Sequence, residues 1–271
     1  MVEGHSSVVT CAKGLLILLT MSAAACFAQV PAPGPNANQL AGKPPALAPR
    51  MPDVPEMGVQ RAKPDFGGHG MWRVPYVIDM AQARAGIEHP TDVPFLPWSK
   101  AEFDQATENH SKDDPEGYCL PPGVPRMMFT PYPMEILQQP SRIVMIFEGG
   151  AHVWRTIWMD GRKHPTELNP TFLGDSIGHW EGDTLVVDVV GFNDRTWLDA
   201  AGHRHTERLH VVEKYSRPNL ETLHYEATID DRGAYTKPWT ITMNIPWAAG
   251  QELMEYICQE NNRDVQHLVG K

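Results

Sequence analysis

The chain has 271 residues, enough for one domain with a sizeable core, and its 33 acidic against 23 basic residues leave a formal net charge of −10. Such a chain lacks the clustered Lys and Arg that draw a protein to phosphate backbones, so no nucleic-acid partner is expected. Beyond the N-terminus no apolar stretch approaches the roughly 18 residues of a spanning helix, so no transmembrane segment is expected either.

Lys13 precedes an apolar run from Gly14 to Ala25, which closes on the small residues around Cys26 and Ala28. This reads as a signal peptide over 1–28, cleaved near Ala28, and places the mature protein in the periplasm or outside the cell. An alternative cleavage before Cys26 would leave a lipid anchor on that cysteine. Losing Glu3 and Lys13 together keeps the net charge unchanged. Of the four cysteines, Cys11 and Cys26 fall in the signal segment, so Cys119 and Cys258 remain as an even pair in an oxidising compartment. A disulfide between them is expected, with two buried free thiols as the alternative.

Residues 29–65 form a Pro-rich tether, with eight prolines between 29 and 58 and little to bury. An irregular arm over 66–133 follows, carrying Phe66, Trp72, Tyr76, Phe95 and Trp98, and its one short helix is predicted from Ser99, as N-cap, to about Thr107. From Met134 onward short Val-, Ile-, Thr- and aromatic-rich runs alternate with turn residues, the all-β pattern. Strands are predicted at 134–139, 142–148, 152–159, 174–180, 183–191, 207–216, 220–229, 238–246 and 252–259. Eight or nine antiparallel strands over 134–262 close most economically into a calycin- or lipocalin-like barrel, with a β-sandwich as second choice, because either removes exposed edges. Residues 263–271 are left as a C-terminal tail.

The hairpin 175–188 must turn at Gly182, with either Trp180 opposite Asp183 or Glu181 opposite Thr184. In both registers Asp175, Ile177 and His179 share a face with Thr184, Val186 and Asp188, while Trp180, Leu185, Val187 and Val189 take the other. Two carboxylates and an imidazole on one face are candidates for general acid-base work if that face is buried, and a solvated outer surface if it is not.

Further candidates lie along the chain. A hairpin turn at Gly149 to Ala151 would set Glu148 beside His152 and continue the strip through Trp154 to Trp158. The polar and aromatic connection 191–199 offers Asn193, Asp194, Arg195 and Trp197 as ligand contacts, and the loop 229–239 adds Tyr235 and Trp239. If 203–207 is extended, His203, His205 and Glu207 point the same way, a partial ligand set for zinc or another transition metal, though in a chain with 12 His it also arises by chance. No other cofactor is expected. Glu213 and His224 flank a turn at Pro218 and Asn219 in a structural role. Nucleophile elbow, phosphate loop, dinucleotide fingerprint, His-Glu-x-x-His and Cys-x-x-Cys motifs are all absent, which removes the common hydrolase, kinase and dehydrogenase classes.

The runs GHWEGDTLVVDVVGFNDRTWLD (178–199) and IDDRGAYTKPW (229–239) resemble a large family of uncharacterised exported β-rich proteins of Gram-negative bacteria, over roughly Phe66 to Asn262. Arg232 stands where that pattern has proline. The resemblance implies a periplasmic location and carries no activity. The expected function is therefore an exported barrel acting on a small sugar-derived or aromatic molecule. Asp175, His179 and Asp188 would be its acid-base group, in a lyase, isomerase or hydrolase type of reaction. The alternative is a lipocalin-like binder without chemistry, and which side of the sheet holds those three residues discriminates the two.

Overall fold

The computed structural model describes residues 63–82, 87–88 and 92–260, all within the compact unit Gly58–Lys271. The expected signal segment 1–28, the lipid-anchor position Cys26, nearly all of the tether and the tail 263–271 lie outside the described residues.

Among the described residues ten strands and two α-helices follow in chain order: β1 Gly70–Arg73, β2 Ile87–Glu88, α1 Pro97–Glu108, β3 Pro133–Gln139, β4 Arg142–Phe147, α2 Gly149–His152, β5 Trp154–Trp158, β6 Asp175–Glu181, β7 Thr184–Val190, β8 His210–Asn219, β9 Thr222–Asp230 and β10 Trp239–Ala249. Strands β1, β3 to β9 and β10 pair in that order, and β1 pairs back onto β10, which closes a nine-stranded barrel; β2 adds to β10 outside the ring. The fold is all-β as the alternation predicts, but mixed rather than purely antiparallel. The connection 159–174 brings β6 alongside β5 in parallel, with Ile157 opposite Ser176. A parallel neighbour needs such a long crossover, whereas the other steps from β3 to β10 need none.

Alternation explains the core. In β9, Leu223, Tyr225, Ala227 and Ile229 are buried while His224, Glu226, Thr228 and Asp230 stay at least partly accessible. In β7, Leu185, Val187 and Val189 line the interior, and the β6–β7 register is Glu181 opposite Thr184. Only Gly182 takes positive φ in that turn, at +60°, the type II′ pattern.

Three further expectations change. Residues 252–259 form no strand: β1 occupies the open side of β10 from Gly70–Ala249 to Trp72–Trp247, so the ring is complete without them. The arm is not merely laid over the barrel, since β1 belongs to its wall. The helix starts at Pro97 with proline in its first turn, and Ser99 does not cap it; its hydroxyl donates to the carbonyls of Leu96 and Ala234 and ties α1 to the barrel.

A buried polar group interrupts the apolar interior of the barrel. Arg155 and Glu213 are an ion pair, 1% and 0% exposed, and the Arg155 Nε donates to Ser176 Oγ at 3.0 Å. The Tyr215 and Tyr225 hydroxyls both donate to Glu213 Oε1 at 2.8 Å, and burial pushes both phenols far up, so they remain neutral donors. Glu213 thus points inward, while His224 points outward onto Asn244, so the two do not meet.

Candidate functional site

Cys119 and Cys258 are joined by a disulfide with their Cα atoms 5.8 Å apart. The bond brings the segment after β10 against the arm, and beside it lies a pocket of about 460 Å³. Asp114 begins its wall: the side chain accepts from Glu116 N and caps a single 3-10 turn, Pro115–Tyr118. A second such turn, Arg126–Met128, carries the guanidinium back onto both acids. Arg126 Nη1 and Nη2 donate to Asp114 at 2.7 and 2.6 Å, and its Nε reaches Glu116 Oε2 at 2.8 Å. Such forked, charge-assisted bonds hold a guanidinium in one geometry.

Tyr76, Phe129, Tyr132 and Tyr256 supply the aromatic surfaces, with the Tyr132 and Tyr256 rings 4.8 Å apart. The electrostatics follow from burial. Burial pushes the Glu116 carboxyl above the usual carboxylate range, against the pull of Arg126, with the neighbouring Asp114 adding to the rise. Burial acts against the charge of Arg126 as well, yet its two carboxylate partners raise it above its ordinary value and keep it a cation. Burial and the neighbouring Tyr256 raise the Tyr132 phenol. The pocket therefore presents the neutral Tyr132 phenol beside a fixed cation and one carboxyl that holds its proton more readily than usual.

The residues singled out by sequence fall elsewhere. Asp175 and Asp188 do share a face, but it is the outer one, and His179 is exposed there and pairs with Glu181 at 3.2 Å. The imidazoles that serve the two acids are His164, whose Nδ1 lies 2.6 Å from Asp175, and His210, whose Nε2 lies 2.5 Å from Asp188. No strand or helix periodicity marks His164, which sits in the 159–174 crossover. His210 was findable, since it opens β8 on the Asp188 face.

Residues 149–152 form the one-turn helix α2 instead of a tight hairpin, and the His152 side chain lies outside the described residues. Glu148 instead accepts from Met254 N at 2.8 Å, and Trp154 is 67% exposed on the outer wall. Asn193 accepts from Arg195 N, Asp194 and Arg195 are exposed, and Arg195 lies over the Phe172 ring. Trp197, Tyr235 and Trp239 are buried core; Arg204 stacks on Trp197, and Tyr235 donates to the Arg204 carbonyl. None of these lines the pocket, which meets this region only at Ala200.

His203, His205 and Glu207 do not converge. His203 Nδ1 donates to Asp199 Oδ2 at 2.7 Å, among the rings of Phe95, Phe103 and Trp239. Burial lowers the His205 pKa and keeps its ring neutral; Nδ1 donates to the Thr206 carbonyl, which leaves Nε2 to accept from Thr196. Glu207 is exposed while both rings are buried. Among the described residues the group whose ligand atoms already lie within 4.8 Å of one another is Asp79, Asp199 and His203. There, Asp199 is saturated by the backbone N–H groups of Met80, Ala201, Gly202 and His203 together with the His203 ring, so it fixes a loop.

Against protein-family models, curated proteins and solved structures alike, the chain gives no match. No helix among the described residues is long and apolar enough to cross a membrane.

Proposed function

We propose that this protein, exported to the periplasm or beyond, binds a small ring-bearing polar molecule, sugar-derived or aromatic, in the pocket beside the disulfide. The observation that carries this reading is the pocket itself: tyrosine surfaces around a buried Arg126 held by Asp114 and Glu116. Ring faces favour stacking with an apolar ring face, and the charged cluster beside them supplies polar contacts, the mixture typical of small-molecule sites. The outward placement of Asp175, His179 and Asp188 favours binding over acid-base chemistry on that face. A second reading, catalysis within the pocket, rests on Glu116: a carboxyl with a raised pKa in a cleft is suited to proton transfer to a bound substrate.

Ligand-observed NMR against a panel of monosaccharides, uronic acids and hydroxylated aromatic acids tests both. Binding is expected, and Tyr256→Ala should weaken it about tenfold, the equivalent of one lost aromatic contact. Failure of every panel member to bind, or binding indifferent to Tyr256→Ala, overturns the reading. Turnover of a bound compound that stops in Glu116→Gln while binding persists selects catalysis.

A further inference from the structure

We propose that the ring-bearing ligand of the pocket beside the disulfide carries a positively charged ammonium group, held at Glu116 Oε1. The proposal rests on that pocket being the binding site and adds the sign of the ligand's charge.

The charged groups of the wall decide that sign. Asp114 and Glu116 stand against Arg126, two carboxylates to one guanidinium, and the described lining residues include no lysine or histidine. The guanidinium is already engaged, with Nη1 and Nη2 on Asp114, Nε on Glu116 Oε2 and only 5% of its side chain accessible, so it offers little to an anion. Asp114 is engaged as fully, because its Oδ1 also accepts from the Glu116 N–H at 3.0 Å. Glu116 differs. Its Oε2 faces Arg126 Nε and lies 3.4 Å from the Thr130 hydroxyl, whereas Oε1 accepts no hydrogen bond from the described residues and the side chain is 18% accessible. The open ionic atom of the pocket is therefore an acceptor that carries negative charge.

The surroundings add to this. The Asp199 and Glu148 carboxylates contribute to the negative field felt at Arg126 and Tyr132. Burial, which raises the Glu116 carboxyl, disfavours its anion, and a cation at Oε1 offsets that cost. The rings of Tyr76, Phe129, Tyr132 and Tyr256 line the same space, and ring faces attract a cation. They also select its kind. A bare calcium or magnesium ion needs several oxygen ligands, whereas an organic ammonium is satisfied by one carboxylate oxygen and aromatic faces. The volume of about 460 Å³ accommodates one monosaccharide-sized ring bearing such a group.

Isothermal titration of the disulfide-bonded chain with glucosamine, glucose and glucuronic acid, at about pH 6 where an amino group is protonated, tests the charge. Glucosamine should bind about tenfold more tightly than glucose, the effect of one partly exposed charge-assisted hydrogen bond, and glucuronic acid should bind most weakly. Glu116→Gln should abolish the preference while glucose affinity is kept, whereas Tyr256→Ala should weaken all three sugars. If circular dichroism shows a fold defect in Glu116→Gln, Glu116→Asp takes its place; it withdraws the charge by one methylene and should shrink the preference. Equal affinity for glucosamine and glucose, tighter binding of glucuronic acid, or a preference that persists in Glu116→Gln overturns the proposal and leaves the pocket reading standing. Absence of binding by all three sugars also overturns it, and the pocket reading falls with it only when the hydroxylated aromatic acids fail as well.

Discussion

Asp199 shows how one side chain organises a loop. Burial alone would raise its carboxyl, but His203 and the converging backbone N–H groups hold it below the usual carboxylate value of 3.8. A group whose folded pKa is depressed contributes stability that is present above its unfolded pKa and lost as pH falls through the folded one. Asp199→Asn should therefore cost about 3 kcal/mol near neutral pH, where charge-assisted bonds are lost. Its deficit relative to wild type should shrink as pH falls below 3.8. Thermal melts of both proteins across that window measure it; a deficit independent of pH refutes the charged-cap account. Arg155 and Glu213 pose the opposite case, a buried pair in which each partner offsets the other's charge. Arg155→Met alone should destabilise by about 3 to 5 kcal/mol in urea titration, because it strands Glu213, whereas adding Glu213→Gln should recover part of the loss. Equal stability of the single variant and wild type would refute that account.

At the scale of elements, packing between strands sets limits that polarity patterns do not show. Gly178 faces the interior of β6, where an added Cβ would lie 2.5 Å from Met159 Sδ and 2.8 Å from Ile157 Cγ2. Gly178→Ala should cost about 1 to 3 kcal/mol by overpacking, less to the extent that Met159 swings aside, and Gly178→Val should cost more. Denaturant midpoints give both values, and a neutral alanine variant would mean that the parallel β5–β6 seam is loose. The same pair of strands shows what was legible beforehand. Period-2 alternation marks β3 to β10 because each is long enough to show it and has one buried face. It does not mark β1, a four-residue strand, nor does it reveal that β5 and β6 run parallel, since both orientations bury the same alternate residues. The pocket was hidden for another reason. Asp114, Arg126 and Tyr256 carry no joint spacing, and only the fold and the disulfide bring them together.

For the whole molecule, the barrel and its pocket are closed by different means. Backbone pairing between β1 and β10 closes the barrel, and β10 ends at Ala249, before the disulfide is reached. The pocket depends on the disulfide, because Tyr256 lies two residues before Cys258 in a segment with no strand pairing of its own. The bond spans 139 residues, so on the chain-entropy model it restrains the unfolded chain by about 5 kcal/mol. Joint replacement Cys119→Ser and Cys258→Ser should lower stability by roughly 3 to 5 kcal/mol while leaving the β-sheet circular dichroism intact. It should also release the Tyr256 wall and so weaken any ring ligand more than Tyr256→Ala does, because Glu116 and Asp114 lose the same anchor. If stability falls but ligand affinity is untouched, the site lies away from the disulfide. If both are untouched, the segment after β10 is held by Glu148 and the Tyr132 ring rather than by the covalent bond.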